Sequence, residues 1–135
     1  MSIERQHIFS GSIYEELAGY ARAVVVNDRI FVSGTVGVDF ETGHMAEGPE
    51  AQTEAAISTI EAALTEADSS LGDVVRVRVF IPNPDHVSVI SSVMKKRFGF
   101  TQPANTTVCS PLAVAGADVE VEVEAIRGSE KKSNG

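Results

Sequence analysis

The chain has 135 residues, of which 43 % are hydrophobic, and its formal net charge at pH 7 is -8. This length and composition indicate a single domain that is large enough to bury a core. The negative charge argues against nucleic acid and anionic membranes as partners, because both are bound through basic surfaces.

Motifs for secretion, membrane insertion or cofactor binding are absent from the sequence. No apolar run follows a charged leader or approaches the length of a membrane span, so we expect a cytoplasmic protein. No nucleotide-binding or zinc-protease motif occurs, so no cofactor or metal is predicted. Cys109 is the only cysteine, which excludes an intrachain disulfide. His7, His44 and His86 are isolated in the sequence and fit surface residues better than metal ligands. A nucleophilic pair of Cys109 with a distant histidine is a less favoured alternative, since small buried thiols are common and no neighbour in the sequence would activate this one.

The first third of the chain is typical of strands joined by tight turns. A short strand is expected within residues 1–10, and residues 13–19 fit either a turn of helix or a loop. Two β-rich runs, Arg22–Val26 and Arg29–Ser33, are separated by Asn27-Asp28, a spacing that predicts a hairpin.

Two amphipathic helices flank a strand in the middle of the chain. Gly48-Pro49-Glu50 begins the first helix and Asn83-Pro84 the second, because proline is tolerated at the first helical position. Between them Asp73–Ile81 predicts a strand. The residues expected to share its buried face are Val75, Val77, Val79 and Ile81. The apolar stripes that predict core-facing helices are Thr53, Ile57, Ile60, Leu64 and Ala67, then Val87, Ile90, Met94 and Phe98.

The C-terminal part contains two further strand candidates. Gln102–Ser110 carries an amide and several hydroxyls, and it favours a short strand or a surface loop. In Val119–Glu124, three valines alternate with three glutamates, so the two residue types face opposite ways. Residues 128–135 have nothing to bury and are predicted to be a disordered tail behind a single domain, residues 1–127.

The order of elements, β-β-β-α-β-α-β-β, predicts an α+β domain of two layers, with about six strands and two helices on one face. The other face of the sheet would carry glutamates, arginines and small residues, which are too polar for a core. A symmetric oligomer built on that face is a reasonable inference.

Several short motifs, taken in order and spacing, carry a family resemblance over roughly residues 18–128. They are Ala18-Gly19-Tyr20, Ile30–Gly34, Glu41-Thr42-Gly43, Gly72–Val75, Pro103–Val108 and Val119–Ile126. Together they resemble the Rid family, the reactive intermediate deaminases, also called YjgF-type proteins. The resemblance implies a chorismate mutase-like fold, in which a mixed six-stranded sheet carries two helices on one face. It also implies a homotrimer with a small-molecule ligand cleft between each pair of subunits.

By this resemblance Glu122 occupies the position of the family's catalytic glutamate. A carboxylate in a closed cleft can hold a water molecule and accept its proton as the water attacks a C=N carbon. The alternative for Glu122 is a solvated strand face, which is the interpretation adopted for Glu120 and Glu124.

Four more positions are implied to line the ligand cleft. Tyr20 matches a tyrosine that lines the pocket, although half-buried packing is the alternative. The Ser33 hydroxyl would contact the nitrogen or carboxylate region of the substrate, and Gly34 would let a ligand approach the backbone closely. Thr107 matches a position whose backbone groups face the ligand.

Asn105 departs from the family pattern. Members that hydrolyse imines of amino acids have an arginine at this position, which holds the substrate carboxylate by a charge-assisted, two-pronged contact. Because an amide lacks that charge, we expect 2-imino acids to be poor substrates. Their rapid turnover would instead indicate another cation, such as Arg22 or Arg76.

The sequence is therefore compatible with three functions. The first is a hydrolase of a small reactive imine, enamine or related carbonyl compound, in which Glu122 activates water and Ser33, Tyr20 and Asn105 position the substrate. The second is a trimeric ligand-binding protein without efficient catalysis. The third is an endoribonuclease or translation inhibitor, a label that some relatives carry and against which the acidic composition argues.

Overall fold

The structure, a computed structural model, describes residues 2–130. Its strands are β1 (Arg5–Ile8), β2 (Ala23–Val26), β3 (Arg29–Val36), β4 (Val38–Asp39), β5 (His44–Met45), β6 (Val74–Ile81), β7 (Ala104–Cys109) and β8 (Glu120–Ile126). Its helices are α1 (Ile13–Ala18), α2 (Pro49–Glu66) and α3 (Val87–Phe98). Short 3₁₀ turns, Leu71–Asp73 and Pro84–His86, precede β6 and α3.

A mixed six-stranded sheet has the strand order β1-β2-β3-β8-β6-β7. All neighbouring strands are antiparallel except β6 and β7, which are parallel and are joined by the crossover through α3. Strands β4 and β5 form a separate hairpin. This arrangement confirms the α+β fold with a mixed six-stranded sheet that the sequence and the family resemblance predicted.

The core lies between one face of this sheet and the apolar sides of α2 and α3. Ile57, Ile60 and Leu64 on α2 and Ile90 on α3 are fully buried, as the helical stripes predicted. The sheet residues that pack in the same cluster include Ile30, Val32, Val77, Val79, Ile81, Val121, Val123 and Ala125. Because the helices occupy this face, the opposite face and the sheet edges are available for function.

Strand β6 contains an irregularity that the sequence pattern did not indicate. Its pairing with β8 shifts between Val74 and Arg76, so that Val74 is buried and Val75 is 39 % exposed. The prediction that Val75 shares the buried face of Val77 was therefore wrong. A bulge inserts one unpaired residue and thereby reverses the alternation of side chains on one side of it.

The ambiguous segment after Gly11 is helix α1. The Ser12 hydroxyl caps it by accepting the Tyr14 N–H at 3.2 Å, and Gly19 ends it in the left-handed conformation with φ 72°. Asn27 adopts a positive φ of 54° in the tight turn between β2 and β3, where the hairpin was predicted.

The described chain continues past the predicted domain boundary at residue 127. The Glu130 N–H donates to Asp73 Oδ1 at 3.0 Å, and the Ser129 hydroxyl donates to the Ile126 carbonyl at 2.6 Å. Residues 131–135 lie outside the described part of the chain, so the disordered tail stays a prediction.

Strand β7 forms one edge of the sheet and is exposed along its whole length. Its apolar residue Val108 is 40 % exposed. An uncovered edge strand presents backbone groups that can pair with another chain. Within residues 2–130, no helix combines the length and the apolar character needed to cross a membrane.

Candidate active site on the open face of the sheet

The sheet face opposite the helices, called the open face below, carries three half-buried glutamates of β8: Glu120, Glu122 and Glu124. Glu122 pairs in register with Arg78 on β6, and its Oε1 lies 3.4 Å from Arg78 Nη1. The two side chains are 37 % and 34 % exposed. Because solvent screens their charges, the ion pair contributes only about 0–1 kcal/mol to stability. Among residues 2–130 no other side chain bonds to Glu122, which leaves its second oxygen open to water or a ligand.

A bulge in β3 brings two further predicted residues to Glu122. Val32 pairs with Val123 and Thr35 pairs with Val121, so Ser33 and Gly34 lie together opposite the single residue Glu122. Bulges of this kind re-aim side chains and interrupt the ladder, and they are common beside active sites. The sequence motif Ile30–Gly34 indicated these residues but not the bulge.

Gly34 lies directly beneath the carboxyl group of Glu120. A Cβ at position 34 would stand 2.9 Å from Glu120 Cδ and 3.2 Å from each carboxylate oxygen. Any side chain at this position would therefore push the Glu120 carboxyl group away. The Gly34 carbonyl accepts a hydrogen bond from Arg22 Nη1 at 2.9 Å, and this bond holds the backbone of the β3 bulge in place.

The Arg22 side chain is buried in the protein interior and is only 2 % exposed. Its Nη2 lies 3.1 Å from Glu15 Oε2, and its Nη1 also donates to Thr35 Oγ1 at 3.1 Å. The guanidinium stacks 5.8 Å from the ring centroid of Tyr20 and 5.0 Å from that of Phe40. Breaking a buried pair of this type typically costs about 3–5 kcal/mol, so Arg22 holds the site together rather than offering a free charge to a ligand.

An open pocket of about 590 Å³ lies on the same face, beside Tyr20 and Ser33. Its lining is largely apolar and consists of His7, Phe9, Glu15, Gly19, Tyr20, Ala21, Val24 and Ser33. Phe9 is 64 % exposed and stacks with His7 at a ring distance of 6.4 Å. The pocket can thus accept an apolar group next to the polar residues of the β3 bulge.

The Ser33 hydroxyl has a defined hydrogen-bonding role. It donates to the Ala21 carbonyl at 2.7 Å. A hydroxyl has one hydrogen, so the Ser33 oxygen can offer only its lone pairs to a ligand. It can therefore accept an N–H or O–H from a substrate, but it cannot donate to one without losing the bond to Ala21.

Glu120 does not belong to a merely solvated face, as the sequence interpretation had it. Burial raises the pKa of its carboxyl group, the charge of Glu122 raises it further, and Arg22 opposes the shift. The sequence carried no signal for this difference, because the three glutamates alternate identically. It arises from the glycine at position 34, which lets the Glu120 carboxyl group fold down onto the sheet.

Asn105 and Thr107 lie elsewhere, on the edge strand β7. They pair in register with Val77 and Val79, so they point to the helix side of the sheet, and both are exposed. The Thr107 hydroxyl donates to Asn105 Oδ1 at 3.0 Å. The structure therefore gathers Tyr20, Ser33 and Gly34 with Glu122, but it does not bring Asn105 or Thr107 to them within one chain.

Arg76 donates to Thr106 Oγ1 at 3.2 Å on the open face and is more accessible than Arg22. Across residues 2–130, no three His, Cys, Asp or Glu side chains lie close enough to hold a metal ion.

Comparison with known proteins decides the family. The model of the family described as Endoribonuclease L-PSP matches residues 12–127. A RutC family protein of Pyrococcus abyssi is 33 % identical over 123 residues, covering 90 % of this chain and 95 % of that protein. The crystal structure of a YjgF/YER057c/UK114 family member from Mycobacterium tuberculosis superposes with a TM-score of 0.83 at 32 % identity, covering 91 % of this chain and 99 % of that one. The chain belongs to the Rid/YjgF family.

Another Rid/YjgF relative has a name that states its substrates. It is the 2-iminobutanoate/2-iminopropanoate deaminase of Dermatophagoides farinae, 30 % identical over 113 residues, which cover 83 % of this chain and 87 % of that protein. The resemblance inferred from the short motifs is confirmed by these matches. That Asn105 makes this Rid/YjgF protein an atypical member stays a prediction.

Proposed function

We propose that this protein hydrolyses a small reactive imine or enamine, or a related carbonyl compound, with Glu122 activating the water. The observation that carries the proposal is the β3 bulge, which sets Ser33 and Gly34 opposite Glu122 beside a largely apolar pocket. Relatives named as deaminases of 2-iminobutanoate and 2-iminopropanoate support the same reaction class.

The chemistry replaces a C=N bond with a C=O bond. Glu122 accepts a proton from water as the water oxygen bonds to the C=N carbon, which gives a carbinolamine. Collapse of the carbinolamine forms the carbonyl product and releases ammonia or an amine. Because Gly34 has no side chain, the Glu120 carboxyl group occupies the space above it, and the substrate is placed beside that carboxyl group, opposite Glu122.

Ser33 orients the substrate nitrogen in this proposal. Because its hydrogen is engaged by the Ala21 carbonyl, its oxygen is an acceptor. An imine N–H or an enamine N–H satisfies that acceptor, whereas a ketone oxygen does not. Ser33 thus favours the substrate over the carbonyl product in the same position.

The preferred substrate is a neutral compound with an apolar substituent rather than a 2-imino acid. Asn105 has no charge to offer a carboxylate, and Arg22 is buried against Glu15. The pocket beside Tyr20 has a largely apolar lining, which includes Phe9, Ala21 and Val24. Substrate pockets of this kind use apolar walls for affinity and a few polar groups for orientation.

The complete cleft lies between subunits of a homotrimer in this proposal. Glu122 faces the open side of the sheet, whereas Asn105 projects from the edge strand to the other side. A neighbouring copy is therefore needed to bring Asn105 and Thr107 to the Glu122 site. The exposed edge β7 offers a surface for that contact.

The test is turnover of a panel of imines and enamines generated in situ, with neutral and carboxylate-bearing members matched in size. Release of ammonia and of the carbonyl product is followed for wild type and for Glu122→Gln as the blank. Faster decay with wild type than with the blank supports the proposal. Binding of the panel without any acceleration would favour the alternative, a non-catalytic trimeric ligand-binding protein.

RNA cleavage is the activity that the family name Endoribonuclease L-PSP suggests. A net charge of -8 opposes phosphate binding, which requires lysines and arginines that displace counterions. We therefore expect no salt-dependent RNA binding at physiological ionic strength.

A further inference from the structure

We propose that Glu120 is a second catalytic residue, the general acid that protonates the imine nitrogen while water adds under the control of Glu122. This inference rests on the proposed function and deepens it, because it assigns the proton that the nitrogen must receive. It concerns a residue that the sequence interpretation placed on a solvated strand face.

The positions of the Glu120 and Glu122 carboxyl groups suit an acid and a base that act on one substrate. Glu120 and Glu122 project from the same face of β8, two residues apart, so their Cα atoms are about 7 Å apart along the strand. The Glu120 carboxyl group lies over Gly34, and Gly34 lies with Ser33 opposite Glu122. A substrate held at the β3 bulge, between Glu122 and the Glu120 carboxyl group over Gly34, can therefore contact both carboxyl groups.

The surroundings of the two carboxyl groups differ. Glu122 has the Arg78 guanidinium 3.4 Å away. Glu120 instead pairs in register with Phe80 on one side and Val36 on the other, which offer no polar partner. The charge of Arg22 acts on Glu120, but the Arg22 donors are engaged by Glu15, Thr35 and the Gly34 carbonyl.

Burial and the neighbouring Glu122 charge raise the pKa of Glu120, against an opposing effect of Arg22. Glu120 thus keeps its proton to a higher pH than an ordinary glutamate does. Two carboxyl groups with different environments in one site are the usual arrangement of an acid and a base, as in glycoside hydrolases.

The proton transfers balance over the whole reaction. In the addition step the water oxygen bonds to carbon, one water proton passes to Glu122, and the C=N electron pair moves to nitrogen, which takes the Glu120 proton. In the collapse step the carbinolamine hydroxyl gives its proton to Glu120, nitrogen takes the proton held by Glu122, and the C–N bond breaks. Ammonia and the carbonyl compound leave, and both carboxyl groups regain their starting protonation states.

The experiment compares Glu120→Gln with wild type on two substrates. The first is a neutral imine, and the second is an N,N-dialkyl iminium ion of the same carbon skeleton, whose nitrogen already carries the positive charge. On the neutral imine we expect Glu120→Gln to lose 10²–10⁴-fold in kcat/KM. In wild type, the rate should decrease at high pH as the essential acid loses its proton. The pH profile of Glu120→Gln should lack this decrease. On the iminium ion the same variant should keep most of the wild-type rate.

Two controls make the result specific. Glu122→Gln should lose activity on both substrates, because both need an activated water. Glu124→Gln, which changes the remaining half-buried carboxylate of β8, should match wild type on both. Circular dichroism and sedimentation of each variant establish that the fold and the assembly are kept.

Equal losses by Glu120→Gln on the neutral imine and the iminium ion would overturn the inference, as would an unchanged high-pH limb. Both results would leave the proposed function intact, since Glu122→Gln would still be inactive. Absence of turnover by the wild-type protein on every imine would instead overturn the proposed function, and this inference with it.

Discussion

Asn105 and Glu122 project from opposite faces of the same sheet. Asn105 pairs in register with Val77, which is fully buried beneath the helices, whereas Glu122 pairs with Arg78 on the open face. Neighbouring residues in register point to the same side of a sheet, so one chain cannot bring the two together. If both serve one ligand, they must come from two copies of the chain.

We expect the protein to be a homotrimer in which β7 is covered. Val108→Lys places a charge at a 40 % exposed apolar position of this edge strand and should dissociate the assembly. Ser91→Lys adds the same charge to an exposed position of α3 and should not. Sedimentation velocity at micromolar concentration measures both. A monomeric wild-type protein would remove the intersubunit cleft.

Glu122→Gln should lower turnover of the best substrate by 10²–10⁴-fold, the usual contribution of one general base. Its unfolding temperature should change little, because the ion pair with Arg78 that it loses is partly exposed. Glu124→Gln is the matched control and should retain activity. Full activity of Glu122→Gln would indicate that Glu122 lies on a solvated strand face and has no catalytic role.

Asn105→Arg should increase hydrolysis of 2-imino acids. A charge-assisted contact is worth about 1.5–3 kcal/mol, or one to two orders of magnitude in binding. Asn105→Gln lengthens the side chain without a charge and should show no such gain. The assay uses an imine generated in situ from an amino acid, with Glu122→Gln as the blank.

Rapid turnover of 2-imino acids by the wild type would contradict this expectation and indicate another cation. Arg76, on the open face, is then a better candidate than Arg22, which is buried against Glu15. Arg76→Gln would test that explanation directly.

Glu120 should give the folded protein a distinct pH dependence. Its pKa is raised above 4.5 chiefly by burial, so the folded state binds its proton more tightly than the unfolded chain does. The cost of burying the ionised carboxylate is absent at pH values below about 4.5 and grows as the pH rises through the raised pKa. Glu120→Gln removes that cost. Relative to wild type, its melting temperature should therefore increase between pH 4 and 8, as thermal denaturation at a series of pH values would measure.

The sequence predicted the parts of the fold that depend on local periodicity. The helical stripe through Ile57, Ile60 and Leu64 is fully buried, and Asn27-Asp28 forms the turn between β2 and β3. These patterns are reliable because side chains repeat every 3.6 residues in a helix and every two in a strand. The family resemblance added the positions of Tyr20, Ser33 and Glu122, which the periodicity could not distinguish from ordinary strand residues.

The features that the sequence did not predict depend on β-bulges and on the pairing of strands. The alternation of β6 gave no sign that Val75 would turn outward, because a bulge depends on the pairing with β8. For the same reason, the sequence does not predict that Ser33 and Gly34 lie opposite Glu122 or that the Glu120 carboxyl group lies over Gly34. That Asn105 lies on the opposite side of the sheet from Glu122 follows from the parallel register of β6 and β7, which requires the whole sheet.

The most direct test of the shared site is complementation between two inactive variants. Glu122→Gln lacks the base, and Asn105→Trp should block the cleft with an indole while keeping Glu122. The two proteins are unfolded together, refolded at equal concentration and assayed on the best imine. Each site of a symmetric trimer would draw Glu122 and Asn105 from neighbouring chains, so random mixing should restore about one quarter of wild-type activity. Activity no higher than that of the separately refolded variants, or an active Asn105→Trp parent, would contradict a Glu122 site completed by a second chain.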